Sequence, residues 1–185
     1  MHPRLGTPTE FIVSKAKFIS TIFTQLYSMQ GHAMIPLVIH QAHRGNFTPL
    51  AGLIAQTDNS EGSGNGMYIG LTFNIVCNED MPKISAAMLA ADADNSFSGD
   101  NSHLAWQAAC PLWPSYSVDD SFYQPVTANV PTLILSGNLD PVTPPSNGEK
   151  SAETLPNSHH IVVKNAAHIA AMSSCGVTII NEFLT

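Results

Sequence analysis

An aspartate and a histidine occupy corresponding positions after two apolar segments of this chain. Asp140 follows the unbroken apolar run 130–136, within Ser-Gly-Asn-Leu-Asp-Pro-Val-Thr-Pro, and His168 follows the segment 160–164 by four residues. A carboxylate that binds one ring nitrogen of a histidine leaves the other nitrogen free to take a proton from a hydroxyl group and return it to a leaving group. The pair therefore predicts the acid–base chemistry of acyl transfer.

A strand–helix–strand unit must bring these two residues together. The run 130–136, closed by Gly137, is typical of a buried strand, whereas 144–155 suits a crossover helix and 160–164 a second strand. This order normally makes the strands parallel, and ligands bind where the carboxyl ends of parallel strands meet. We expect the helix 169–184 to close the unit. Two parallel strands do not make a stable sheet, so we expect the rest of the sheet to come from elsewhere.

The first two thirds of the chain carry helical patterns. Thr7-Pro8-Thr9-Glu10 combines the capping residues and the proline of a helix start, and apolar residues then recur at helical spacing until Gly31. Further helices are predicted over 33–43, 49–56 and much of 67–110, with the polar run 58–66 as a loop. We therefore divide the chain into a mostly helical region, 1–125, and a βαβ-α region, 126–185.

Composition excludes some partners. The formal net charge is −7 and only seven of 185 residues are Lys or Arg, so no basic surface is available for nucleic acid. No apolar run approaches the roughly 18 residues that cross a bilayer, and we predict no membrane span. The N-terminal residues lack the pattern of a signal peptide, so we expect any export signal to lie upstream.

Cysteine and histidine give weaker signals. Three cysteines allow one internal bridge with one left over, and this count does not decide between a reducing and an oxidising compartment. His32, His40 and His43 lie at helical spacing, but no acidic or cysteine ligand completes a metal-binding set. We predict neither a metal nor a cofactor.

The segment 131–144 resembles the acid loop of α/β-hydrolases similar to tripeptidyl aminopeptidases and proline iminopeptidases. Further segments recur in the same order in the C-terminal region of that family: Val76-Cys-Asn-Glu-Asp80, Cys110-Pro-Leu-Trp113-Pro, Asp140, His168 and Cys175. The resemblance implies an α/β fold, the C-terminal part of an α/β-hydrolase. In it, residues 1–125 would be a mostly helical cap and 126–185 the final βαβ unit with its closing helix.

The resemblance also implies an activity. The family hydrolyses peptides from the N-terminus, or small esters and amides, usually as exported enzymes, and Asp140 and His168 would be the acid and base of a Ser-His-Asp triad. A disulfide between Cys77 and Cys110 follows from the same resemblance, with two buried thiols as the alternative. Glu79 or Asp80 would bind the terminal ammonium of a substrate, unless the two acids are only a solvated pair or a helix cap.

Two departures from the family pattern concern the catalytic residues. The family usually has Gly-His-Gly around the histidine, whereas this chain has Ala167-His168-Ile169. No Gly-x-Ser-x-Gly occurs in the sequence, and Ser63 has glycines at the wrong offsets. We expect the nucleophile to precede Met1, and we expect this chain alone to be inactive.

Three hypotheses follow. The first is a C-terminal portion of a serine hydrolase, completed by a missing N-terminal part, a partner chain or a second copy that covers the sheet edge. The second is a non-catalytic binding or interaction protein derived from the same scaffold. The third is an enzyme that uses a different serine near His168. Apolar residues exposed on the sheet favour the first hypothesis, and polar residues there favour the second.

Overall fold

The computed structural model of the protein describes residues 6, 12–62, 68–96, 98–99 and 101–185. Within these residues the chain forms α-helices and one small sheet. The helices are α1 (Lys15–Gln25), α2 (Met29–His43), α3 (Thr48–Gly62), α4 (Ile69–Ile75), α5 (Ala86–Asn95), α6 (Asn101–Ala109), α7 (Pro145–Ala152) and α8 (Ser174–Leu184), and the strands are β1 (Thr132–Gly137) and β2 (Ser158–Val163).

The described residues form two compact units. The first unit consists mainly of Ser20–Ile54 and Pro125–Thr185, and the second of the described parts of 10–19 and 55–124. The first unit thus contains both the sheet and helices from the N-terminal region. The division of the chain into a cap, 1–125, and a core, 126–185, remains a prediction.

The first unit contains the predicted strand–helix–strand arrangement. Strands β1 and β2 pair in parallel, with Thr132 opposite Ser158 and Gly137 opposite Val163, and α7 connects them. Compared with the predicted runs 130–136 and 160–164, β1 begins two residues later and ends one residue later, whereas β2 begins two residues earlier and ends one residue earlier. Both strands therefore end at the same edge, as the parallel arrangement requires.

Adjacent residues of β1 contact different surroundings because side chains alternate across a strand. Leu135 packs against a small cluster formed by Val163, Ala166 and Ala170. Ser136 is buried, and its Oγ lies 2.9 Å from Nε2 of His160. A Cβ at Gly148 of α7 would overlap this polar pair, so α7 approaches the sheet closely there.

The N-terminal helices differ from the prediction in one respect. A helix was expected to continue to Gly31, but α1 ends at Gln25 and α2 begins at Met29. Ser28 explains the break, because its backbone is extended and its side chain accepts a hydrogen bond from the N–H of Gly31 as an N-cap. The predicted helix start at 7–10 lies outside the described residues.

Two further boundaries correct the prediction. Helix α3 includes residues 58–62, which were expected to be a loop; neither proline nor glycine interrupts 53–61, so their polarity alone does not end the helix. The closing helix was expected from residue 169, but α8 begins at Ser174 after a short 3₁₀ helix, Ala170–Met172. Ser173 separates the two because its Oγ accepts from the N–H of Gly176 and caps α8.

The second unit combines short helices with an aromatic cluster. After α4 the chain forms a π-helical turn, Val76–Asp80, and 3₁₀ turns at Met81–Lys83, Cys110–Leu112 and Asp120–Tyr123. Phe73 stacks on Trp113 and makes an edge contact with Trp106. Among the described residues of either unit, no helix has the length and apolarity that crossing a membrane requires.

Replacing Gly137, at the end of β1, tests how tightly the sheet edge is packed. A Cβ there would overlap the carbonyl oxygens of Ala166 and Ala167. We expect Gly137→Ala to lower the free energy of unfolding by about 1–3 kcal/mol, the usual cost of overpacking. Urea denaturation followed by circular dichroism measures the change.

Gly52 in α3 provides the matched control. A Cβ at Gly52 meets nothing within 4 Å, so Gly52→Ala should raise stability by up to about 1 kcal/mol through helix propensity. Equal effects of the two substitutions would contradict the close approach at Gly137.

Candidate active site

Asp140 lies in the loop that follows β1, and the loop itself holds its carboxylate. The N–H groups of Val142 and Thr143 donate to Oδ1 at 2.8 and 2.9 Å, and the Thr143 hydroxyl donates to Oδ2 at 2.8 Å. The side chain of Asp140 is 4% exposed. A buried carboxylate with three local donors has one fixed orientation, and this loop sets it.

His168 lies in the loop that follows β2, and it binds the same carboxylate. Its Nδ1 is 3.0 Å from Oδ2 and 3.1 Å from Oδ1 of Asp140. Because an ionised carboxylate only accepts hydrogen bonds, Nδ1 carries the proton in the neutral ring and Nε2 is left with a free lone pair. The structure thus brings the two predicted residues together in the geometry that an acid–base pair needs.

The charge of Asp140 is maintained although the group is buried. Burial by itself would raise the pKa of this carboxyl, but hydrogen bonds from the N–H groups of Thr143 and Val142, from His168 and from the Thr143 hydroxyl outweigh it. The pKa falls from 3.8 to about 2. Asp140 is therefore a carboxylate at neutral pH and can stabilise a protonated imidazole.

Backbone contacts hold the two loops side by side. The N–H groups of Asn138 and Leu139 donate to the carbonyls of Val163 and Ala166, at 3.2 and 3.0 Å. In return, the N–H of Asn165 donates to the Asn138 side-chain oxygen at 2.7 Å. These contacts extend the parallel pairing beyond the strands, so the positions of Asp140 and His168 are coupled.

The residue after the histidine adopts a conformation that favours glycine. Ile169 has φ 61° and ψ 56°, in the left-handed region that β-branched residues avoid. In Ala167-His168-Ile169, which stands where the family usually has Gly-His-Gly, the left-handed position is thus occupied by a β-branched side chain and is strained. Such strain costs on the order of 1–3 kcal/mol.

Sequence reasoning missed two residues of this site. Thr143 gives both its N–H and its hydroxyl to Asp140, and an Asp followed by a threonine at this short spacing is a turn signal that could have revealed it. The ring of Tyr27 contacts His168 edge to face, with 5.2 Å between the ring centroids. No sequence signal links Tyr27 to residues so distant in the chain.

Glu79 and Asp80 belong to the second unit. Glu79 accepts a 3.4 Å hydrogen bond from the Tyr116 hydroxyl through its carboxylate and a 3.0 Å bond from Tyr123 through its backbone carbonyl. Asp80 is exposed. Binding of a substrate ammonium by either acid remains a prediction.

The cysteines and the remaining candidates are placed as follows. Cys77 and Cys110 form a disulfide in the second unit, and Cys175 is free and exposed. Ser63 lies outside the described residues. Within the described part of the chain, no group of three His, Cys, Asp or Glu residues is arranged to hold a metal ion.

The arrangement at this sheet edge, an acid after one parallel strand and a histidine after the next, is that of α/β-hydrolases. Residues 96–185, which contain both residues, match the family model described as TAP-like protein. The match is to the C-terminal part of a TAP-like α/β-hydrolase. Comparison with curated proteins and with solved structures gives no match.

Replacing Thr143 tests the hydrogen bonds that lower the pKa of Asp140. Thr143→Val keeps the shape and the N–H but removes the hydroxyl, and we expect the pKa of Asp140 to rise from about 2 toward 3.8. Because a lowered aspartate pKa stabilises the fold above pH 3.8, and the Thr143 hydroxyl is the smallest of the four hydrogen bonds that lower it, the variant should be less stable there by about 0.5–1 kcal/mol. The difference should shrink as the pH falls to about 2.

Urea denaturation across this pH range measures the effect, and Thr154→Val is the matched control. The Thr154 hydroxyl donates to the Val126 carbonyl and not to a carboxylate. A stability difference for Thr143→Val that does not depend on pH would contradict the stated cause of the pKa shift.

Replacing Ile169 tests the strained backbone. Ile169 is mostly exposed, so Ile169→Gly removes little packing and should raise the free energy of unfolding by about 1 kcal/mol. Asn165 also has a positive φ, 56°, but asparagine tolerates this region, so Asn165→Gly should change stability less. Thermal unfolding of both variants measures the difference, and a loss of stability in Ile169→Gly would argue against strain.

Proposed function

We propose that this chain is the C-terminal portion of a serine hydrolase and supplies the acid and the base of its catalytic triad. One observation carries the proposal: Nδ1 of His168 lies 3.0 Å from the carboxylate of the buried, ionised Asp140. The alternative is that Asp140 and His168 form only a structural ion pair. That role would not need the hydrogen bond at Nδ1 to leave Nε2 of His168 unprotonated. The family match of residues 96–185 supports the hydrolase scaffold.

The proposed mechanism assigns one role to each residue. Nε2 of His168 accepts the proton of a serine hydroxyl as the oxygen attacks an acyl carbon, and then returns the proton to the leaving group. Asp140 holds the imidazole in the required tautomer and stabilises its positive charge. The reaction is hydrolysis of a small peptide, amide or ester.

The proposed nucleophile comes from outside residues 1–185. The sequence contains no Gly-x-Ser-x-Gly. Ser136 is a poor substitute, because it is buried and its hydroxyl is paired with His160. Ser173 is engaged as the cap of α8. An upstream segment or a partner chain would supply the serine and the oxyanion-hole donors.

Apolar residues of the sheet that are not fully covered indicate that further polypeptide packs on it. Leu133 and Ile134 of β1 are only partly buried, and Val162 of β2 is 43% exposed. Apolar strands of parallel sheets are normally covered on both faces and continued at their edges. These apolar residues support the first hypothesis over an adapted binding protein, in which polar residues are expected there.

Other features of the proposal concern location and substrate. The Cys77–Cys110 disulfide supports an exported protein, because such bonds persist in oxidising compartments. We assign Glu79 or Asp80 the binding of a peptide ammonium group. This assignment rests on the family resemblance and on the negative charge of the two residues.

Labelling with a fluorophosphonate probe tests the proposed function. A tagged copy of the chain is expressed in its native host and purified together with whatever polypeptide is joined to it or bound by it. We expect the recombinant chain alone to give no adduct, and the native material to give an adduct on a serine outside residues 1–185. His168→Ala should reduce labelling by a factor of about 10³ or more, the usual effect of losing a triad residue.

The control variant is His159→Ala, which changes an exposed histidine of β2 and should leave labelling intact. An adduct on a serine of this chain would support the third hypothesis and overturn the location proposed for the nucleophile. Absence of any adduct in the native material would support the non-catalytic alternative.

A further inference from the structure

Tyr27 lies against the imidazole of His168. The two rings make an edge contact, with centroids 5.2 Å apart and planes inclined by 75°. Both residues belong to the first unit, although Tyr27 lies far upstream of the segment that matches the family model. The imidazole thus contacts Asp140 and Thr143 through Nδ1 and Tyr27 through its ring.

The turn that carries Tyr27 is held from several sides. Ser28 caps α2, and Nε2 of His32 lies 2.8 Å from the carbonyl oxygen of Leu26. Gly31 allows a close approach of the Gln25 backbone, which a Cβ would prevent. These contacts fix the backbone on both sides of Tyr27, a residue that is 40% exposed.

The ring itself is supported by a second aromatic residue. Phe23, one turn earlier in α1, makes an edge contact with Tyr27 at 5.6 Å between centroids. Aromatic pairs in this geometry are stabilising beyond the area that they bury. Phe23, Tyr27 and His168 therefore form a continuous row of ring contacts that ends at the acid–base pair.

Electrostatics agree with a neutral phenol beside the carboxylate. Partial burial raises the pKa of Tyr27, and the negative charge of Asp140 raises it further. The phenol therefore stays protonated well above neutral pH. It brings an apolar ring to the histidine without adding a second negative charge next to Asp140.

We propose that Tyr27 is a positioning residue for His168: its ring holds the plane of the imidazole and shields the hydrogen bond between Nδ1 and Asp140 from water. The inference rests on the proposed acid–base role of the pair. The carboxylate fixes one edge of the imidazole but permits tilting about the hydrogen bond. A ring packed edge to face opposes that tilt, and a less hydrated hydrogen bond to an ionised group is stronger.

The role assigned to Tyr27 depends on the ring and not on the hydroxyl. Tyr27→Phe should therefore preserve it, whereas Tyr27→Ala should abolish it. Tyr27→Leu keeps apolar bulk without an aromatic edge and should fall between the two. Tyr68→Ala removes an exposed tyrosine of the second unit and is the matched control.

Proton NMR of the ¹⁵N-labelled chain 1–185 tests the inference without needing catalysis. A hydrogen-bonded imidazole Nδ1–H that is shielded from water gives a downfield resonance, and substitution of His168 assigns it. We expect this resonance in the unmodified chain, in Tyr27→Phe and in Tyr68→Ala. We expect it to be lost through faster exchange with water in Tyr27→Ala, and to be broadened in Tyr27→Leu.

Each outcome decides between the claims. An unchanged resonance in Tyr27→Ala, with amide spectra showing that the variant is folded, overturns the role of Tyr27 and leaves the triad proposal standing. Should Tyr27→Ala fail to fold, equal exchange in Tyr27→Leu and Tyr27→Phe overturns it in the same way. No downfield resonance in the unmodified chain, with amide spectra showing that this chain is folded, overturns the shielded hydrogen bond itself. The proposed hydrolase function is tested separately, by the fluorophosphonate adduct.

Discussion

The close backbone contact between the loops that follow β1 and β2 is the constraint on which the site depends. Gly137 lets the carbonyls of Ala166 and Ala167 approach the end of β1, and the N–H of Leu139 then bonds to Ala166. Asp140 follows this anchor by one residue and His168 by two. Their side chains meet because the main chain has already brought the loops together.

Two sets of hydrogen-bond donors stabilise the ionised Asp140 inside this packed edge. Backbone and hydroxyl donors of its own loop satisfy part of the carboxylate, and His168 satisfies the rest. Burial opposes the charge, but the summed hydrogen bonds exceed that opposition. The carboxylate is thus fixed by its own loop, and protonation of His168 would require no rearrangement of that loop.

The sequence predicted the parts of the structure that depend on local pattern. A short apolar run closed by Gly137, a helix-length spacer and a second run define a parallel pair, and the carboxyl ends of such strands must share an edge. The meeting of Asp140 and His168 follows from that rule. Tyr27 could not be predicted, because its contact depends on how distant helices pack.

Element boundaries were less predictable for a related reason. The apolar spacing across Ser28 continues as if one helix ran through it, whereas the local cap divides α1 from α2. Ser173 similarly separates the 3₁₀ turn from α8. In both places a single hydroxyl that bonds to the backbone outweighs a periodic pattern. The turn between α1 and α2, which ends at the Ser28 cap, is the turn that contains Tyr27.

The first unit is discontinuous along the chain, because Ile54 and Pro125 border an intervening segment that belongs to the second unit. Folding of the first unit must therefore close a long loop, at an entropic cost that grows only with the logarithm of its length. The Cys77–Cys110 bridge spans 33 residues of that loop and shortens the covalent path by roughly half. Each doubling of loop length costs about 0.6 kcal/mol. The bridge therefore lowers the cost of closing the first unit by about 0.6 kcal/mol, although both cysteines belong to the second unit.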